Sequence, residues 1–351
     1  MASDWRIVAE PLGRRSCQIC GLAARAPSAA TGASLYQSGY SLYAHRPGEP
    51  RERSRQAEYA RWIARWHSGL PRRVVDVGCG NGSLLQALRA HWPTAELLGC
   101  DPSAESVRLG AAGDIRLWSG TASDLPFVAS ADLVISVNVI EHTADPSAFI
   151  AALRVILEPQ GTLIVICPNG DVPDVELLIA DHLFSFVPAH LRELLAREGF
   201  VTDRIDLAPS TLGQFQMIVA HRGTAPATAF ERVQELSERR RTYLRQWRDL
   251  DTKLRERVTA PLICFGAGET AGLLRAYAPV SWALVRACTF DGASGGTFGD
   301  LPIVPLDDVS PDASVLVGVR PSDQRLLMDR LRSRFDRVIT WHDLVGVPDG
   351  H

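Results

Sequence analysis

Lysine is almost missing from this chain: Lys253 stands alone among 37 basic side chains, and the rest are arginine. With alanine abundant, that bias reads as GC-rich coding rather than arginine-specific recognition. Nor is there an excess of positive charge. The formal net charge is −3 and the pI is near 6.3, which gives no global electrostatic reason for a nucleic-acid partner, since phosphate neutralisation favours a basic face. No apolar run approaches the roughly 18 residues of a membrane-spanning helix. The opening residues Met-Ala-Ser-Asp-Trp-Arg lack the apolar core of a signal peptide, so a cytoplasmic protein is expected. Disulfide scaffolding is also excluded: the seven cysteines, Cys17, Cys20, Cys79, Cys100, Cys167, Cys264 and Cys288, are mostly scattered and odd in number, as reduced thiols are. Internal repeats and low-complexity segments are absent.

What is present is enough apolar material for real cores. Of 351 residues 46% are hydrophobic and 22% charged, a globular composition, and at about 150 residues per domain the length points to two domains. Residues 1–69 carry Pro, Gly, Ser and Ala, with Tyr36, Tyr40 and Tyr43 close together before His45-Arg46-Pro47. Tyr59, Trp62, Ile63, Trp66 and Leu70 then fall on one face of an amphipathic helix. Over 70–222 the pattern changes to short apolar runs separated by helical stretches: Val74–Val77, Leu97–Cys100, Ile115–Trp118, Leu133–Val137 and Leu163–Ile166. Continuous runs of this kind predict strands buried on both faces of a parallel sheet. Val201–Leu207 and Phe215–Ala220 read as a closing antiparallel hairpin. Residues 223–258 read as a linker and a charged helix, with nine basic and six acidic side chains over 231–257, a solvated spacer face or a weak anion contact. A second β-α pattern fills 259–351.

The chemistry concentrates in Val74 to Gly82, V-V-D-V-G-C-G-N-G, before the helix-like Ser83–Leu88. A strand ending in Gly-x-Gly-x-Gly makes a turn without side chains, on which a ligand sits against backbone at a helix N-terminus. Phosphate-binding dinucleotide loops use the same device. Three features separate the readings. Asp76, two residues before the first glycine, would repel a pyrophosphate and accept from an ammonium. Asp101 ends the second strand, where a carboxylate can take two ribose hydroxyls. Thr121-Ala122-Ser123-Asp124-Leu125-Pro126-Phe127 follows the third strand, where an adenine edge would be read. As purely structural residues, Asp76 would cap a turn and Asp101 would end a strand.

With these residues the segment resembles the class I S-adenosylmethionine-dependent methyltransferases, whose D-x-G-x-G-x-G loop, acidic end of strand two, D/S-L-P-F segment and N-V-I-E-H-x-x-D-P stretch match Asp76–Gly82, Asp101, Asp124–Phe127 and Asn138–Pro146. The resemblance implies S-adenosyl-L-methionine as cofactor, held by Asp76, Gly78, Cys79, Gly80, Gly82, Asp101, Pro102, Ala122, Ser123 and Asn138. Thr121 departs from the family, where many members carry an acid, so the adenine contact falls to backbone at Ala122 and Ser123. Glu141-His142 would open the helix after strand four, as a cap or as an active-site contact.

His182 and His190 flank Leu183-Phe184-Ser185-Phe186-Val187-Pro188, a stretch similar to that of methyltransferases acting on sugars and related small molecules. In the sugar C-methyltransferases the matching histidine is the proposed base, which implies His182 here; the resemblance places Glu141 and His142 near the sulfonium and the substrate. Imidazole suits proton removal near neutrality. The other reading of both histidines is a hydrogen-bonded ring at a loop edge. Gly266-Ala267-Gly268 through Gly272, Phe290-Asp291-Gly292 and Gly299–Ile303 resemble the C-terminal Rossmann-like domain of nucleotide-sugar C-methyltransferases. The expected fold is therefore α/β: a Rossmann-like seven-stranded methyltransferase domain plus a second, smaller Rossmann-like domain.

Those relatives begin with a zinc module of two cysteine pairs. Cys17 and Cys20 match the first pair and the second is missing, so a degenerate module without metal is expected. The Tyr36–Arg46 stretch would form a lid over cofactor and substrate, with Tyr40, Tyr43, His45 and Arg46 as its candidate residues and His190 also contacting the substrate. The resulting expectation is methyl transfer to carbon or oxygen of a small molecule, a sugar or nucleotide sugar of secondary metabolism or polysaccharide synthesis, with no nucleic-acid or membrane partner. Two other readings stay open: a non-catalytic scaffold that keeps the fold, and an NAD-dependent oxidoreductase using Gly266–Gly272.

Overall fold

The computed structural model describes residues 1–26, 28, 36, 50–67, 69–110, 113–126, 128–258 and 261–345. Tyr40, Tyr43, His45 and Arg46, the expected lid, lie outside the described residues, as does Phe127. The chain divides into two compact units: Glu10–Val172 with Ala180–Ser237, and Met1–Ala9 with Pro173–Ile179 and Glu238–His351.

Short strands β1 (Arg15–Ser16) and β2 (Ala23–Ala24) begin the first unit, followed by helix α1 (Pro50–Trp66). Then come β3 (Arg73–Val77), α2 (Ser83–Leu88), β4 (Glu96–Asp101), α3 (Ala104–Gly110), β5 (Arg116–Ser119) and β6 (Ala131–Val137). The unit continues through α4 (Pro146–Ile156), β7 (Leu157–Pro168), β8 (Phe184–Ser185), α5 (Pro188–Arg197), β9 (Phe200–Leu207) and β10 (Phe215–Arg222). A seven-stranded sheet orders these as β5-β4-β3-β6-β7-β10-β9. Its first five members pair in parallel, whereas β10 runs antiparallel to both β7 and β9.

The apolar runs are continuous because adjacent residues of one strand enter different cores. Val75, Leu98, Val134, Leu163 and Val165 pack with Ile150, Leu153 and Ile156 of α4 and Leu191 and Leu195 of α5. Their neighbours Val74, Leu97, Leu133, Ile135, Ile164 and Ile166 pack on the other face with Tyr59, Trp62 and Ile63 of α1 and Leu84, Leu85 and Leu88 of α2. Each fully buried aliphatic side chain contributes about 1.5–3 kcal/mol of transfer free energy.

Helix α1 ends at Trp66, so Leu70 is not on its stripe; it is 76% exposed. Pro71 follows it and disfavours helical backbone at residue 70. What fixes α1 is Asp206 on β9, whose Oδ2 accepts from both indoles, Trp62 and Trp66, at 2.7 Å each. Arg204 lies 3.9 Å over the Trp66 ring.

The other unit carries a four-stranded parallel sheet, in the order Val285–Thr289, Leu262–Phe265, Ser314–Val317, Arg337–Thr340. Ile263, Phe265, Val315, Val317, Leu331 and Phe335 form its core. Gly266 has φ +127°, and a side chain there would meet the Gly318 carbonyl oxygen at 2.4 Å, so the two loops touch through backbone. The helix Val233–Arg248 enters this unit at Glu238 and is followed by Leu250–Arg255, two helices where one charged helix was expected. Lys253 donates to the Leu344 carbonyl at 2.8 Å.

Candidate functional site

The carboxyl ends of β3, β4 and β6 meet at the glycine turn. The Cys100 carbonyl accepts from the amides of Gly78 (2.8 Å) and Cys79 (3.1 Å), which folds the turn back onto β4. Gly78, Gly80 and Gly82 have φ of +83°, +54° and +72°, values that glycine adopts without the Cβ penalty. At Gly78 space matters too: a Cβ would lie 2.2 Å from Cγ2 of Val139, the residue that follows Asn138 at the end of β6. Gly82 leads into α2, which buries Leu84, Leu85 and Leu88.

Asp76 is 2% exposed, and its Oδ1 has no hydrogen-bond partner among the described residues. Burial, with help from the nearby Asp101 charge, pushes its carboxyl up to about 7. Such an acid is unfavourable alone and well matched to a cationic ligand. Asp101 accepts from the Gly80 amide (2.9 Å) and the Ser103 amide (2.8 Å). Pro102 lies between them in the turn.

Thr121–Asp124 makes a single 3₁₀ turn in which the Asp124 carboxylate accepts from the Thr121 amide (2.7 Å) and hydroxyl (2.8 Å), holding its pKa below the usual range. Thr121 is thus a cap, and Ala122 is buried beneath the exposed Ser123. Asn138 has φ +56°, and its Oδ1 is buried without a partner among the described residues.

Glu141 and His142 do not open a helix. They lie in a 3₁₀ turn, Ile140–His142, and the helix starts only at Pro146, capped by Asp145 accepting from the Ala148 amide at 3.0 Å. The Leu183 amide donates to the Glu141 carbonyl at 2.6 Å, which brings His182 alongside. The His142 and His182 rings meet edge to face at 4.7 Å. Tyr36 hydroxyl lies 2.7 Å from His142 Nδ1 and donates to Asp181 Oδ2 at 2.8 Å, and His142 Nδ1 is 3.0 Å from the Asp181 carbonyl. Burial first, and His182 second, pulls His142 down to about 4, so its ring is neutral at pH 7. Glu141, His142 and His182 therefore gather, with Tyr36 and Asp181 as members that the sequence reading did not single out. Asp181 was visible as the acid of its Asp-His pair; Tyr36 joins from 106 residues away, out of the tyrosine cluster read as a lid, and its pairing here had no local signal.

His190 goes elsewhere. Its Nδ1 accepts from the Val187 amide at 3.1 Å and its Nε2 lies 2.7 Å from the Cys20 carbonyl. Both ring nitrogens are engaged in tying the start of α5 to the Cys17–Gly21 turn, the loop-edge role rather than a substrate contact. In that turn Cys17 is exposed. Among the described residues the one group of three or more His, Cys, Asp or Glu side chains close enough to share an ion is Glu141, His142 and His182, so the cysteine pair is not part of one.

Residues 51–205 match a family model described as Methyltransferase domain. The chain carries a class I S-adenosylmethionine-dependent methyltransferase domain. It is similar to the malonyl-[acyl-carrier protein] O-methyltransferase of Herminiimonas arsenicoxydans, 31% identical over 134 residues, covering 38% of this chain and 50% of that protein. The trans-aconitate 2-methyltransferase of Acidovorax ebreus is 34% identical over 131 residues, 36% of this chain and 50% of that protein. The ubiquinone biosynthesis O-methyltransferase of Azorhizobium caulinodans is 29% identical over 127 residues, 33% and 49% of the two. The chain spans about half the length of these curated relatives, and their names give three different acceptors. Among solved structures, Burkholderia thailandensis 1,6-didemethyltoxoflavin-N1-methyltransferase aligns with a TM-score of 0.42 and 20% identity over 55% of this chain and 85% of that one. Among the described residues no helix is long and apolar enough to cross a membrane.

Proposed function

We propose that this protein is an enzyme that transfers a methyl group from S-adenosylmethionine to a carbon or oxygen of a small molecule, a sugar or nucleotide sugar of bacterial secondary metabolism or polysaccharide synthesis. The observation that carries the cofactor half of this reading is Asp76: a buried carboxylate oxygen without a partner among the described residues, beside a turn whose three glycines have positive φ. That combination fits an amino-acid ammonium. The bound sulfonium supplies an activated methyl group.

The chain's own residues divide the remaining work. Asp76 balances the ammonium, and the Gly78, Cys79, Gly80 and Gly82 backbone lies against the ligand. Asp101, at the end of β4, and Pro102 hold the ribose. Ala122 and Ser123 offer backbone to the adenine edge, and Asn138, with its buried amide oxygen, is a further cofactor contact. Glu141, His142 and His182 face the acceptor, with His182 taking its proton where one must leave. Proximity to the methyl group carries much of the rate, and positioned proton removal typically adds 10²–10⁴-fold. Tyr40, Tyr43, His45 and Arg46 are proposed as the lid. The four-stranded unit is proposed as a second, smaller Rossmann-like domain.

Calorimetric titration with S-adenosylmethionine tests the cofactor half. Micromolar binding that Asp101→Ala weakens is expected, and absence of binding in the wild type would overturn it. Transfer of labelled methyl to nucleotide sugars tests the acceptor half separately; labelling of carboxylic or phenolic acceptors instead would remove the sugar.

A further inference from the structure

Glu141, His142 and His182 each offer one ligating atom, and all three atoms lie within 4.8 Å of one another. Two atoms bound to one ion at about 2.0–2.2 Å can be at most roughly 4.4 Å apart. His142 Nε2 and Glu141 Oε1 already satisfy that at 4.0 Å, and the widest separation needs only a few tenths of an ångström of side-chain adjustment. We propose that these three side chains form a divalent-cation site for Zn²⁺, Co²⁺ or Mn²⁺, with open coordination positions for oxygen atoms of the acceptor; only the acceptor clause rests on the methyl-transfer reading above.

Hydrogen bonding around His142 independently fixes the tautomer a metal requires. Tyr36 donates its proton to Asp181 Oδ2, so its oxygen is left to accept, and it lies 2.7 Å from His142 Nδ1. The Asp181 carbonyl, an acceptor only, lies 3.0 Å from the same nitrogen. Nδ1 therefore carries the hydrogen, and Nε2 presents its lone pair on the Glu141 side. A metal-bound histidine characteristically donates its other N–H to a carbonyl or similar oxygen in this way. Burial adds the charge argument. Glu141 is 1% exposed, and a buried carboxylate beside two imidazoles is a donor set that complements a dication. Two imidazoles and one carboxylate suit borderline first-row ions better than Mg²⁺ or Ca²⁺, which prefer all-oxygen sets. The Leu183 amide on the Glu141 carbonyl clamps the two segments that supply the donors.

The test uses the full chain after chelator treatment, with the metal alone as probe: Co²⁺ followed by visible absorption and Zn²⁺ by calorimetry. S-adenosylmethionine binding is measured in parallel on every sample. One equivalent of metal is expected in wild type and in a Cys17→Ser/Cys20→Ser variant. Affinity is expected to fall at least 100-fold in His182→Asn and Glu141→Gln, and about tenfold in Tyr36→Phe, which disturbs only the tautomer. Should His182→Asn lose cofactor binding and hence its fold, Tyr36→Phe decides. Metal absent from wild type while cofactor binding is intact overturns the site and leaves His182 as a free base; metal lost with the cysteines and kept in His182→Asn overturns it equally. Absent cofactor binding with metal retained counts against the methyl-transfer reading and not against the cation site.

Discussion

Asp76 makes the protein's stability depend on pH in a direction opposite to most carboxylates. Its pKa is near 3.8 in the unfolded chain and is pushed up to about 7 in the fold. Between those values the folded state holds a proton that the unfolded state has released, so stability falls as pH rises through the interval and stays low above it. From pH 5 to pH 8 the loss is about 3 kcal/mol, two pH units at about 1.4 kcal/mol each. Asp76→Asn removes the titration while keeping the shape. The expected result is a cofactor-free variant that matches wild type near pH 5 and melts higher than it at pH 8, by roughly 5–10 °C at about 2–4 °C per kcal/mol. The same variant is expected to lose S-adenosylmethionine affinity, because the balancing carboxylate is gone. Cofactor binding to wild type at pH 6 should release a proton, seen as a dependence of the calorimetric heat on buffer ionisation enthalpy. Parallel pH–stability curves for the two proteins, or undiminished cofactor affinity in Asp76→Asn, would refute the reasoning.

Gly78→Ala combines a +83° φ with a Cβ 2.2 Å from Val139; a loss of about 2–4 kcal/mol is expected in denaturant unfolding, partly recovered by adding Val139→Ala. Asp206→Ala leaves the Trp62 and Trp66 indoles without their shared acceptor and should cost about 2–3 kcal/mol by thermal melting. His190→Ala should lower stability by about 1–3 kcal/mol with cofactor affinity unchanged; a selective change in substrate KM without destabilisation would restore it as a contact residue.

The parallel sheet was legible because strands buried on both faces leave an unbroken apolar run, as at Leu163 to Ile166, and the glycine turn because only a few residue types tolerate its dihedrals. Boundaries were less so. Leu70 extends the spacing of α1 by one turn, and periodicity alone does not register that Pro71 forbids it. The start of α4 is encoded in Asp145-Pro146, a cap followed by proline at the first helical position, whereas Glu141-His142 carries no cap signal of that kind. Site members divide by sequence distance. Asp76, Asp101 and the glycines are fixed by a local turn and were nameable residue by residue. The association of Tyr36 with His142 and Asp181 depends on tertiary placement, which no local pattern encodes.

Lys253 gives the near-absence of lysine a chemical consequence. Every other basic side chain is a guanidinium, which stays charged and resists acylation, so amine chemistry on side chains has one address in this molecule. That address is already occupied by the Leu344 carbonyl. Acetylation of Lys253 would remove the charge and replace the ammonium that donates to the last described helix turn, His342–Val345, by a bulkier neutral amide. A single covalent event could thus loosen that end of the four-stranded unit while leaving the charge pattern of the rest of the surface unchanged.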